Sequence, residues 1–146
     1  MPEKLSKIVD VRTDPISLRL AAIKDFYNAG WEVHLNISPV IVYPGWTTDY
    51  RELFHQINDS VPESIRTDVQ AEVIFLTHNA KLHELNLKWH PKGEEFIWSP
   101  EYQEDKISQT GGCNLRYDYR LKRKMIKMFM DIKDEVSPWL NIRYIF

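Results

Sequence analysis

The sequence has little cysteine, no long hydrophobic run and few glycines. Cys113 is the only cysteine among 146 residues, so the chain can form neither an internal disulfide nor a three-cysteine metal cluster by itself. Such sparse cysteine is typical of a reducing compartment and predicts a cytoplasmic protein. No apolar run reaches the roughly 18–20 residues of a membrane helix, and residues 1–9 lack the apolar core of a secretion signal. We therefore expect neither export nor a membrane partner.

What is present is typical of one globular domain. Hydrophobic residues make up 43% and charged residues 27% of the chain, and five Trp, seven Tyr and six Phe can fill a core. At this length we expect a single domain spanning residues 1–146.

The charge is unevenly distributed. The net charge is −2, but the segment 116–127 holds six basic residues and one acid (Arg116, Asp118, Arg120, Lys122, Arg123, Lys124, Lys127). That segment therefore carries +5 and the remainder −7. It is either a local phosphate-binding patch or the solvated face of a helix.

Helix-like and strand-like patterns alternate along the chain. In the first half of the chain we predict a helix with Asp14 as its N-cap and Pro15 at its first position, closed by Gly30, and then a strand over 31–38. A second helix runs from a capping box at Asp49 and Glu52 to Pro62, and a second strand covers 69–76. The second half is predicted to hold a short helix over 82–89, a β-hairpin of 106–109 with 114–119, a helix over 121–136 and a strand over 140–146. The segment 94–109 is otherwise predicted to be irregular. Strands that follow helices across short connections indicate an α/β fold with a parallel sheet. Three principal strands cannot close a barrel, so they form part of one or a small open sheet.

The first predicted strand is polar on one face. Glu32, His34, Asn36 and Ser38 alternate with apolar residues. On the inner wall of a partial barrel these side chains would line a ligand cavity, because burying them unpaired costs a few kcal/mol each. The other interpretation is a face exposed to solvent in a one-layer sheet.

Histidines and the single cysteine give weaker signals. His78 and Asn79 follow the second predicted strand, where α/β proteins often place ligand contacts, although loop or capping roles are also common there. His34, His78 and His83 have no recognisable zinc spacing, so no metal site is predicted. Cys113 lies next to a predicted turn without a histidine pattern, and we predict no catalytic residue.

Aromatic and basic residues mix in the predicted hairpin. Arg116, Tyr117, Tyr119 and Arg120 suit stacking on bases and pairing with phosphates. Alternatively, the tyrosines pack on the following helix.

Short words along the whole chain resemble the later half of the spore photoproduct lyase family. They are DVRTDP (10–15), RLAA (19–22), AGWEVH (29–34), NISPVI (36–41), GW (45–46), YREL (50–53), AEVIFLTHN (71–79), LHE (82–84), WHPK (89–92), SQ (108–109), NLRY (114–117) and IRYIF (142–146).

The resemblance implies a partial (β/α) barrel, of which this chain is the carboxy-terminal half, with parallel strands, helices on one face and a β-hairpin before the last helix. It also implies S-adenosylmethionine and a [4Fe–4S] cluster as cofactors, and a DNA lesion as substrate. Ser38 matches the strand end beside S-adenosylmethionine, and Asn36 and His34 share its face. Arg116 and Tyr117 match the hairpin that approaches the lesion, and Arg120, His78 and Asn79 are further candidates for substrate or nucleic-acid binding. The CxxxCxxC motif that holds the cluster is absent from this sequence.

Three hypotheses follow. The first is a fragment or split subunit of a radical SAM lyase, inactive alone and completed by a cluster-bearing polypeptide. The second is a cluster-free module that binds nucleic acid through the hairpin and residues 116–127. The third is a gene remnant whose open sheet edge makes it prone to aggregation.

Overall fold

The computed structural model describes residues 1–107 and 111–146. The helices are α1 (Glu3–Val9), α2 (Ile16–Asn28), α3 (Trp46–Ser60), α4 (Ala80–Trp89), α5 (Pro91–Ile97) and α6 (Tyr119–Val136). The strands are β1 (His34–Val40), β2 (Gln70–Phe75), β3 (Thr77–His78), β4 (Gln103–Ile107), β5 (Cys113–Tyr117) and β6 (Asn141–Ile145). No helix in the described ranges is both long and apolar enough to cross a lipid bilayer.

The main sheet is parallel, with strand order β1-β2-β6. Leu35 pairs with Ala71 and Ile37 with Val73 across the first two strands. The register shifts between Ile37 and Val40, where Pro39 has no N–H to donate to the ladder. The predicted parallel sheet is confirmed.

The core lies between one face of this sheet and the helices. Phe129 of α6 is fully buried and packs edge-on against Phe54 of α3 at 5.3 Å and Phe75 of β2 at 6.1 Å. Helix α2 buries Ile16, Leu20 and Ile23, three members of its predicted apolar stripe. On the opposite face, Asn36 and Tyr144 are exposed. The predicted α/β fold, a partial barrel with parallel strands and helices, is confirmed.

A second, antiparallel sheet has the order β3-β5-β4. It contains the predicted hairpin, in which Gln103 pairs with Tyr117 and Ile107 with Cys113. The first predicted hairpin strand ends at Gln109, which lies outside the described residues. On the other side of β5, His78 pairs with Leu115, so the hairpin is joined to the segment that follows β2.

Several local predictions were wrong. Helix α2 begins at Ile16 with Pro15 at the N-cap position and no side-chain cap, so the predicted cap at Asp14 was wrong. Strand β1 begins at His34 and not at 31. Helix α3 begins at Trp46 after Gly45, whose φ of 88° places it in the left-handed region that favours glycine. Asp49 therefore lies inside the helix and accepts a hydrogen bond from the Tyr43 hydroxyl at 2.7 Å instead of capping it.

Two helices were missed. Helix α1 was not predicted, and α5 lies at the start of the segment predicted to be irregular. Pro91 ends α4 and also occupies the first turn of α5, where its missing N–H is not needed. Helix α4 was predicted correctly, but it contains no buried residue, and the apolar side chains of Leu82, Leu85 and Trp89 are exposed.

Candidate functional site

The uncovered face of the main sheet carries the polar residues of β1. His34 pairs with Gln70 and Asn36 with Glu72, and Glu72 in turn pairs with Tyr144 of β6. Since paired residues of neighbouring strands point to the same side, these groups form one polar surface, which we call the polar sheet face.

A chain of hydrogen bonds crosses the polar sheet face. Arg143 Nη1 lies 2.5 Å from Nδ1 of His34 and 3.2 Å from Oε1 of Glu72. Tyr144 donates its hydroxyl proton to Oε2 of Glu72, and this bond raises the pKa of Tyr144 above its ordinary value. The carboxylate of Glu72 therefore ties β2 to two residues of β6.

The same contacts fix the tautomer of His34. A guanidinium can only donate, so Nδ1 of His34 accepts from Arg143. The proton of the neutral ring is then on Nε2, which donates to Oε1 of Glu32 at 2.7 Å. Both ring nitrogens are engaged, so His34 would have to exchange a protein partner to contact a ligand.

Unlike His34, Asn36 and Ser38 have side chains without a hydrogen-bond partner among the described residues. Within residues 1–107 and 111–146, their side chains make no hydrogen bond, and Asn36 is exposed. Of the predicted cofactor-binding residues, His34 and Asn36 thus share one face, and Ser38 follows in the stretch where the register between β1 and β2 shifts.

The hairpin residues predicted to bind nucleic acid are arranged less favourably. The guanidinium of Arg116 pairs with Glu104 on the neighbouring strand, with Nε and Nη2 at 2.9 and 2.8 Å from Oε1. Tyr117 is only 1% exposed, packs edge-on against Phe75, and its hydroxyl accepts the Val42 N–H at 2.9 Å. The ring of Tyr117 is a core element in this structure and offers no stacking surface.

Two neighbouring residues do reach the surface. Arg120 is exposed in the first turn of α6. Asp118 caps this helix, because its Oδ1 accepts the backbone N–H of Arg120 at 3.1 Å. Tyr119 is also exposed, and the guanidinium carbon of Arg123 lies 6.0 Å from the centre of its ring. The open basic and aromatic groups therefore lie at the start of α6.

His78 and Asn79 have separate structural roles. Asn79 caps α4, with its side-chain oxygen accepting the Leu82 N–H at 2.9 Å. His78 is buried, and its Nε2 lies 3.2 Å from both carboxylate oxygens of Glu94. His83 Nδ1 lies 2.6 Å from Oε2 of the same carboxylate.

This grouping of His78, His83 and Glu94 was not predicted, because the two histidines lack a metal-like spacing and Glu94 was missed altogether. Each comes from a different element, β3, α4 and α5, so no short motif joins them. The available signal was chemical: two histidines within six residues, followed by an acid just after the Pro91 helix start. We call this group the His–His–Glu cluster.

Cys113 is exposed on β5, with its Sγ 3.6 Å from Oδ1 of Asp105. Partial desolvation and the neighbouring carboxylate raise the pKa of its thiol. A raised pKa lowers the thiolate fraction, which disfavours nucleophilic chemistry.

A parallel three-stranded sheet with helices on one face and a polar opposite face is the architecture of a partial (β/α) barrel. The family model for spore photoproduct lyase matches residues 3–146, and the chain belongs to this family.

Individual relatives match different fractions of this chain. Spore photoproduct lyase of Bacillus subtilis (strain 168) is 29% identical over 62 residues, which is 42% of this chain and 18% of that protein. Two solved structures superpose with a TM-score of 0.83 at 18% identity: a double mutant of spore photoproduct lyase with bound AdoMet and dinucleoside spore photoproduct, and the lyase complexed with dinucleoside spore photoproduct. Both matches cover 92% of this chain and 39% of the other, so the chain spans about two fifths of those structures.

Proposed function

We propose that this chain is the carboxy-terminal part of a radical SAM lyase of the spore photoproduct lyase type, completed by a cluster-bearing polypeptide or segment. The supporting observation is the polar face of an incomplete parallel sheet, in a chain that matches the family over residues 3–146 but spans 39% of the solved relatives. A sheet face that carries polar side chains and is not covered by other elements is expected if it forms one side of a ligand cavity.

The free edge of β1 supports a missing neighbour. Among the described residues, β1 pairs only with β2. Beside it, a cavity of about 270 Å³ lies between α2, β1 and α3. Phe26, which lines this cavity, and Trp31, which lines a neighbouring pocket with Phe26, are more than half exposed. Exposed apolar side chains beside an unpaired strand are typical of a surface that another polypeptide covers.

The residues fit one implied cofactor and not the other. Asn36 and Ser38 offer amide and hydroxyl groups suited to the polar parts of S-adenosylmethionine. One cysteine cannot hold a [4Fe–4S] cluster, which needs several thiolates. Together the two cofactors supply one-electron radical chemistry. Because this chain has one cysteine, the cluster has to come from outside these 146 residues. The role of this chain is then to bind and orient the nucleoside part of S-adenosylmethionine.

For the substrate we propose a lesion in DNA, as the family resemblance implies; the two solved relatives bind dinucleoside spore photoproduct. The exposed start of α6, with Tyr119 and Arg120, provides a stacking ring and a phosphate-pairing group. A free-standing nucleic-acid module is less well supported, because Arg116 is already paired with Glu104 and Tyr117 is buried.

The test is co-expression of the chain with a CxxxCxxC polypeptide encoded next to it, followed by anaerobic purification. We expect a complex with brown iron–sulfur absorbance that binds S-adenosylmethionine in equilibrium dialysis. Asn36→Leu should weaken that binding at least tenfold, whereas the control Asn28→Leu, at the exposed end of α2, should leave it unchanged.

If neither a complex nor iron–sulfur absorbance is observed, the split-enzyme proposal is wrong. A brown complex whose affinity for S-adenosylmethionine is insensitive to Asn36→Leu would show that the polar sheet face is not the cofactor wall.

A further inference from the structure

The His–His–Glu cluster brings three ligand atoms into one small volume. His78 Nε2, His83 Nδ1 and a carboxylate oxygen of Glu94 all lie within 4.8 Å of one another. The side chains of His78 and Glu94 are 4% and 2% exposed, and that of His83 is 19% exposed. The cluster is thus nearly buried, with one histidine still reachable from solvent.

The spacing suits a small divalent ion. Ligand atoms around tetrahedral Zn²⁺ at about 2.0–2.2 Å are roughly 3.3 Å apart. Nε2 of His78 is 3.2 Å from each carboxylate oxygen, which already matches this separation. Nδ1 of His83 is 2.6 Å from Oε2, so an ion needs a shift of this ring by about 1 Å or less.

The charge balance also favours a cation. Within the described part of the chain, no lysine or arginine nitrogen lies within 4 Å of the Glu94 carboxylate. Its remaining partner is the neutral amide of Asn86, which donates to Oε1 at 2.5 Å. A buried carboxylate is costly unless a positive charge compensates it.

The surrounding residues hold the ligands in place. Trp98 stacks on the ring of His83 at 3.8 Å with an angle of 13°, and it meets His78 edge-on at 5.7 Å. The Asn86 bond fixes the rotation of the Glu94 carboxylate. Partners of this kind orient metal ligands in known sites.

We propose that His78, His83 and Glu94 bind one divalent transition-metal ion of the zinc type. Two imidazoles and one carboxylate suit Zn²⁺ or Co²⁺ better than Mg²⁺ or Ca²⁺, which prefer all-oxygen sites. The ion would join β3, α4 and α5, and through the pairing of His78 with Leu115 it would fix the hairpin relative to both helices. This inference is independent of the proposed lyase function.

The experiment uses the full chain, stripped of metal with a chelator. Zn²⁺ is titrated by calorimetry, and Co²⁺ is titrated while the visible ligand-field bands are recorded. We expect one ion per chain, cobalt bands of a four-coordinate site, and a melting temperature that rises by several degrees with Zn²⁺.

Variants locate the ion. His83→Gln and Glu94→Gln should each weaken Zn²⁺ binding at least a hundredfold and abolish the cobalt bands. The matched control is His55→Gln, because His55 is exposed on α3 and belongs to no cluster of metal-ligating side chains in the described part of the chain. This control should bind Zn²⁺ like the unmodified chain.

Two results would overturn the proposal. One is the absence of stoichiometric binding and of cobalt bands in the unmodified chain, which would identify the cluster as a purely hydrogen-bonded network. The other is binding that survives both cluster variants or is lost in His55→Gln. The titration of the unmodified chain decides whether an ion binds even if Glu94→Gln does not fold.

Discussion

Substitution of Tyr117 tests whether this hairpin residue, which the family resemblance matches to the region that approaches the lesion, belongs to the hydrophobic core instead. Tyr117→Phe removes the hydroxyl that accepts the Val42 N–H at 2.9 Å and keeps the ring that packs on Phe75. The Val42 residue is half-buried, so leaving its N–H without this partner costs about 1 kcal/mol, at the lower end of the penalty for a buried donor. We therefore expect the free energy of unfolding to fall by about 1 kcal/mol.

The matched control is Tyr119→Phe. Tyr119 is two residues away and exposed, and its hydroxyl makes no hydrogen bond within the described ranges. Its substitution should change stability by about 0.5 kcal/mol or less. Urea unfolding at pH 7, followed by far-UV circular dichroism, gives both values.

Equal effects of the two substitutions would refute the reasoning. A Tyr117→Phe variant of unchanged stability but weakened affinity for DNA would show that the ring is at the surface in the working protein, as the family resemblance implies.

Further predictions concern high pH and the cap of α4. Burial raises the pKa of Tyr117 to about 12, partly offset by the Val42 N–H, so the folded chain holds this proton more tightly than the unfolded chain. The resulting stability is complete below pH 10 and is lost as the pH rises to about 12, which corresponds to roughly 3 kcal/mol. Urea midpoints between pH 10 and 12 should therefore fall more steeply for the unmodified chain than for Tyr117→Phe, and equal slopes would contradict this. Asn79→Ala removes the cap of α4 and should cost about 1 kcal/mol in urea unfolding, with Asn79→Ser retaining most of it; an alanine variant as stable as the serine variant would count against the cap.

Periodicity was a good guide for several of the segments that pack on the core. The stripe of Ile16, Leu20 and Ile23 and the alternation in β1 follow directly from which face is buried. Parallel strands then follow from helix–strand alternation.

The sequence was a poor guide where tertiary contacts decide. Pro91 indicates a helix stop by local rules, but it also opens α5, and only the fold places Glu94 beside His78. In the short strand β5, periodicity could not say whether Tyr117 or its neighbours face the core. Asp49 met the rule for a cap, but the chain used the glycine turn at Gly45 instead.

The polar sheet face has a consequence for how variants of this chain should be ranked. Asn36 and Ser38 contribute no side-chain hydrogen bond to the described fold, so replacing them barely changes its thermal or chemical tolerance. A screen that selects variants by their stability would not detect such substitutions. Under the proposed function, the cost of these changes would emerge only when the cluster-bearing partner covers the sheet and S-adenosylmethionine has to bind between the two.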